Sequence, residues 1–100
     1  MPAKKPDVPE TVRVHLLISG VVQGVFFRAH TRNQARSLNL TGWVRNMNDG
    51  RVEVIAEGPR SKINEFISWC HKGPAAASVL GVDIVWEQAT SEFTDFQIRY

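Results

Sequence analysis

The 100 residues carry 12 lysines and arginines against 10 acids, a net charge of +2, and 43% of them are hydrophobic. A chain of this length makes one domain and buries roughly 60–70% of its unfolded surface without disulfide staples. The charge is too mild to argue for a nucleic-acid partner, and no apolar run approaches the ~20 residues of a membrane span. Met1 and the five residues after it lack the hydrophobic stretch of a secretory leader, so a cytoplasmic address without membrane association is expected.

Residues 1–10 hold three prolines, two lysines and two acids, and are expected to form a flexible tail ahead of a folded domain at 11–100. Val12, Val14, Leu16 and Ile18 alternate with Arg13, His15 and Leu17, the pattern of a half-buried strand. The segment that follows, Gly20-Val21-Val22-Gln23-Gly24-Val25-Phe26-Phe27-Arg28, joins that strand to a helix. Two glycines four residues apart at such a junction suggest a tight loop whose N–H groups turn inward as an anion nest. The helix N-terminus adds positive partial charge at the same place. Arg28 supplies a planar fork that grips phosphate or carboxylate through paired hydrogen bonds. Spacing alone leaves two readings open, an oxyanion cradle and an ordinary glycine turn. A nucleotide P-loop is excluded, because no Lys-Ser or Lys-Thr follows Gly24.

Phe27, Thr31, Ala35 and Leu38 mark the buried face of the first helix, and Asn39 suits the left-handed conformation that ends it. Arg32 and Arg36 continue the Arg28 spacing and are read as a solvated face. Strands are expected at 41–46 and 51–57, joined through the hairpin signal Asn48-Asp49-Gly50. Pro59 is placed at the first position of a second helix, whose apolar face is Ile63, Phe66, Ile67 and Cys70. Lys72-Gly73-Pro74 stops that helix and 75–78 read as a loop. Val82, Ile84 and Trp86 alternate as a fourth strand; Phe96, Ile98 and Tyr100 alternate as a fifth.

The order β-α-β-β-α-β-β predicts an α+β (α/β) split βαβ sandwich, with two helices on one face of an antiparallel five-stranded sheet. The crossover rule makes the first two strands parallel with the third between them. Their C-terminal ends then share one end of the sheet, which sets Asn46 beside the 20–28 loop.

Other chemistries find little support. A cysteine phosphatase needs an arginine six residues after its nucleophile, and the residue at that distance from Cys70 is Ala76. Cys70 is read as a core thiol. His15, His30 and His71 show no metal-ligand spacing, and Asp83 and Asp95 stand alone. Trp43, Trp69 and Trp86 are read as packing residues. An RNA-binding module shares the architecture, but it stacks bases on aromatics of its central strands, and 12–18 and 51–57 contain none.

The 20–28 segment resembles the first signature of acylphosphatases, G-x-V-Q-G-V-x-F-R. Gly42-Trp43-Val44-Arg45-Asn46, continuing through Gly50 and Val52 to Gly58, resembles the second, and Ile98-Arg99-Tyr100 is similar to the family's ending. The resemblance spans about residues 11–100 and implies a ferredoxin-like sandwich that hydrolyses the carboxyl-phosphate bond of small acylphosphates. It implies that Arg28 binds the phosphoryl group with the loop amides of Gln23, Gly24, Val25, Phe26 and Phe27, and that Asn46 orients the attacking water. No metal or organic cofactor is implied, and inorganic phosphate is both product and competitive ligand. A monomer is expected. One departure is Met47, where the family often has threonine after the catalytic asparagine. A protein that senses acylphosphates without turnover is a reading the motifs leave open.

The residue chemistry agrees with hydrolysis. Phosphoryl transfer rests on positioning and charge neutralisation. An acylphosphate expels a carboxylate, a stable anion at neutral pH, so no general acid is required. Amides, one arginine and one asparagine suffice for such an anhydride and are ill-equipped for a phosphate ester.

Overall fold

The computed structural model describes residues 10–100, and the tail expected over 1–9 lies outside the described residues. The elements are β1 (Thr11–Val21), α1 (Phe27–Ser37), β2 (Thr41–Asn46), β3 (Val52–Pro59), α2 (Arg60–Lys72), β4 (Ser78–Gln88) and β5 (Phe96–Arg99). They differ from the sequence reading mainly at their ends. Pro59 closes β3 and caps α2 instead of opening the helix. β3 starts at Val52, and β4 starts at Ser78, within the expected loop.

The five strands run in the order β4-β1-β3-β2-β5. β1 and β2 are both antiparallel to β3, hence parallel to one another with β3 between them. β5 pairs parallel to β2, with Val44 opposite Ile98. The sheet is therefore mixed, which corrects the expectation of an antiparallel one. The cause lies in residues 89–95, which leave β4 at one edge and reach β5 at the other. They cross at the end of the sheet where β2 begins, so β5 starts there and runs beside it.

Buried Glu57 anchors this crossing. Its carboxylate accepts the backbone N–H groups of Thr90 at 2.9 Å and Ser91 at 3.0 Å, and the Thr90 hydroxyl at 3.1 Å. The Arg13 guanidinium lies 3.4 Å away. A charge withdrawn from water is tolerated because its lone pairs are met in this way.

Both helices cover one face. Val12, Val14, Leu16 and Ile18 of β1 are buried against them, as the alternation requires. α1 contributes Phe27, Thr31 and Ala35, and α2 contributes Ile63, Phe66, Ile67 and Cys70. Phe27 packs against Trp69 with ring centroids 5.9 Å apart, and Phe66 meets Phe96 edge-on at 6.0 Å. Burial pushes the Cys70 thiol far above its ordinary value, which fits a core thiol and leaves it inert.

Two surface readings change. Arg36 is not merely solvated: it donates to the Phe96 carbonyl at 3.1 Å and to Asp95 at 2.9 Å, tying α1 to β5. Trp86, on an edge strand, is 43% exposed beneath the Arg60 guanidinium, so its packing is one-sided. No helix among the described residues is long and apolar enough to cross a membrane.

Candidate active site

The end of β1 carries a bulge between Ser19 and Gly20, where pairing with β4 shifts register. Gly20 takes φ +126° and Gly24 φ +75°, so both loop glycines occupy backbone that side chains rarely adopt. Phe26 is also left-handed, at φ 58° and ψ 25°, directly before α1. An aromatic residue held there, 81% exposed, is a strained backbone position.

The loop spends few of its donors on the protein. Among the described residues, no backbone carbonyl takes a turn or cap bond from the N–H groups of residues 23–29. No side chain caps α1, and its first turn holds no acid. These donors and the positive helix end are thereby left for an anion from outside the chain.

A cavity of about 290 Å³ opens at this loop. Gly24, Phe26, Arg28 and Asn46 line it, together with Ile98 of β5 and Tyr100 just after that strand. The Arg28 guanidinium carbon sits 4.8 Å from the centre of the Tyr100 ring, a cation–π contact made by a ring that is itself 99% exposed. Asn46 is the last residue of β2, opposite Val52. Its Oδ1 is buried and has no hydrogen-bond partner. An acceptor kept in that state costs about 1–3 kcal/mol.

The structure thus brings together Gly24, Phe26, Phe27, Arg28 and Asn46. It sets the other two loop residues apart. Val25 packs against the core. The Gln23 side chain reaches the β2–β3 hairpin, where Nε2 donates to the Met47 carbonyl at 2.8 Å and the Arg51 carbonyl at 2.9 Å. Met47 enters this arrangement through its main chain: its N–H donates to Arg51 O, and its carbonyl accepts from Gly50 and Gln23. A threonine hydroxyl has no part in those bonds. Sequence reasoning placed Tyr100 only as a strand residue and missed that its ring meets Arg28; the family-like ending was the available signal.

The remaining polar groups lie elsewhere. His15 meets Glu53 at 2.6 Å, and Arg45 engages the same carboxylate. Burial alone would raise the Glu53 carboxyl, but hydrogen bonds from Arg45 and His15 outweigh it and hold the group below its ordinary range. Among the described residues no three His, Cys, Asp or Glu side chains form a metal-binding group.

Residues 14–98 match the acylphosphatase family model. The acylphosphatase of Roseiflexus sp. (strain RS-1) is 51% identical over 89 residues, which are 89% of this chain and 96% of that one. The crystal structure of acylphosphatase from Bacillus subtilis superposes with a TM-score of 0.86 at 31% identity, covering 89% of this chain and 99% of that chain. An acylphosphatase from Coxiella burnetii gives 0.81 at 41% identity over 89% and 93%.

Proposed function

The chain belongs to the acylphosphatase family and has that enzyme's activity, and from this premise we propose that Arg28, the loop amides and Asn46 carry the reaction. The Arg28 fork and the N–H groups of residues 23–27 hold the phosphoryl oxygens of a small acylphosphate. The Asn46 carboxamide hydrogen-bonds a water molecule and aims its oxygen at phosphorus. The new P–O bond forms as the bond from phosphorus to the carboxylate oxygen breaks. The electron pair leaves with the carboxylate, and a phosphoryl oxygen takes the water's proton. No group of the chain needs to ionise.

The observation that carries this reading is the meeting of Asn46, Arg28 and the donor-rich loop around one cavity. The carboxamide orients water; the donors and the guanidinium neutralise the phosphoryl charge. The working enzyme in this proposal is residues 11–100, a cytoplasmic monomer acting without metal or organic cofactor and without a nucleic-acid or membrane partner.

Phosphate release from acetyl phosphate, benzoyl phosphate and 4-nitrophenyl phosphate, each with and without EDTA, tests it. Turnover of both acylphosphates, unchanged by chelation, with little or none of the ester, is expected. Binding without turnover would leave a sensor, and activity restored by Mg²⁺ would overturn the metal-free mechanism.

A further inference from the structure

The 20–28 loop faces a conflict that the positions of its bonds make visible. Its N–H groups serve an anion only if they stay out of the loop's own main-chain bonding, and among the described residues none from 23–29 appears in a turn or cap bond. Val22, Val25 and Phe27 anchor the loop to the core by their side chains, but no main-chain turn bond from its own N–H groups sets its height over Asn46. In-line attack nevertheless needs the phosphorus and the water held in register, and a misplacement of about 1 Å costs on the order of 10²-fold in rate.

We propose that Gln23 is a positioning residue whose side-chain amide locks the phosphate loop to the β2–β3 hairpin, and through it sets the distance from the loop to Asn46. Nε2 donates both hydrogens, to Met47 O at 2.8 Å and to Arg51 O at 2.9 Å. Those carbonyls belong to the residue following Asn46 and the residue preceding its partner Val52. Both already accept a main-chain bond, Met47 O from Gly50 and Arg51 O from Met47, so Gln23 takes their second lone pairs. The clamp therefore adds to the hairpin without competing with it. Gln23 does not line the cavity; it acts through the residues that do. The charged side chains on the hairpin, Asp49 and Arg51, are paired with one another at 2.8 Å and leave the clamp to the amide.

The inference rests on the reading of Arg28 and Asn46 given above, and its test separates the two. Gln23→Ala and Gln23→Glu are compared with the parent for kcat on benzoyl phosphate, inhibition by inorganic phosphate, and urea midpoint. Gln23→Ala is expected to lose on the order of 10²-fold in kcat. Phosphate inhibition should change less than about threefold, because the donors and Arg28 remain. In Gln23→Glu the introduced carboxylate has no hydrogen to give and faces two carbonyl oxygens, so kcat falls near neutral pH. Once protonated it donates one bond, and kcat relative to the parent rises as the pH is lowered. A purely structural role would shift the urea midpoint and show neither that split nor that acid recovery. A folded Gln23→Ala chain with kcat within twofold of the parent overturns the inference. So does failure of both variants to fold, which would make Gln23 part of the fold itself. A parent inactive on acylphosphates overturns the assigned reaction, and the clamp with it.

Discussion

A side-chain carbon on Gly20 would lie 2.1 Å from the carbonyl oxygen of Ser78. The approach falls at the bulge after Ser19, where β1 passes into the 20–28 loop. Gly24 shares the positive φ but has nothing within 4 Å of the same position. Gly24→Ala should therefore cost only the conformational penalty, about 1–2 kcal/mol. Gly20→Ala adds a backbone collision that no rotamer relieves, and should cost more, in the range of about 3 kcal/mol or above. Urea denaturation of the two variants checks the order; equal costs would show that the bulge gives way easily.

Arg28→Ala should abolish turnover and phosphate inhibition together, since in the proposed mechanism one guanidinium holds the phosphoryl group before and during reaction. Arg28→Lys should recover little, because an ammonium lacks the planar fork and keeps less of the contact to Tyr100. Steady-state kinetics with phosphate as inhibitor measure both effects. Retained phosphate affinity in a folded Arg28→Ala protein would contradict the assignment.

The convergence of Arg28 and Asn46 was legible in the sequence because it follows from a general rule. Once β1, α1 and β2 form a crossover, the 20–28 loop and Asn46 must share one end of the sheet. The apolar spacing of Ile63, Phe66, Ile67 and Cys70 likewise fixed the buried face of α2. The direction of β5 was not legible. Phe96 and Ile98 announce a strand, but its parallel run beside β2 depends on a crossing held by Glu57. In one dimension Glu57 is one more acid on a hairpin strand. The second task of Gln23 was hidden for a related reason: a loop signature names residues and does not say which way a side chain turns. Trp86 misled because its edge position decides its exposure, and the bonds of exposed Arg36 to Phe96 and Asp95 join elements far apart in sequence; neither is local.

Glu53 gives the protein a defined acid limb. Its carboxyl lies below the ordinary glutamate value of 4.5 in the folded chain, burial being outweighed by hydrogen bonds from Arg45 and His15. A carboxyl lowered on folding contributes stability that is fully present above its unfolded value. That contribution is lost as pH falls through the folded value. Urea midpoints should decline as pH is taken below 4.5, and Glu53→Gln should flatten part of the decline while lowering the midpoint at neutral pH. A variant whose pH profile parallels the parent's would show that the pairing is energetically silent.

Asn46→Ala separates the catalytic account from the alternative that this side chain merely finishes a strand. Its Oδ1 makes no bond within the protein, so the fold should lose little and the urea midpoint should stay near the parent's. Loss of one preorganised group that orients the nucleophile costs about 10²–10³ in kcat, roughly 3–4 kcal/mol. The most direct measurement is kcat for benzoyl phosphate on folded Asn46→Ala, read beside its inhibition by inorganic phosphate. A collapse of kcat by that factor with near-normal phosphate inhibition is the predicted result. Turnover within a few-fold of the parent would remove Asn46 from the mechanism.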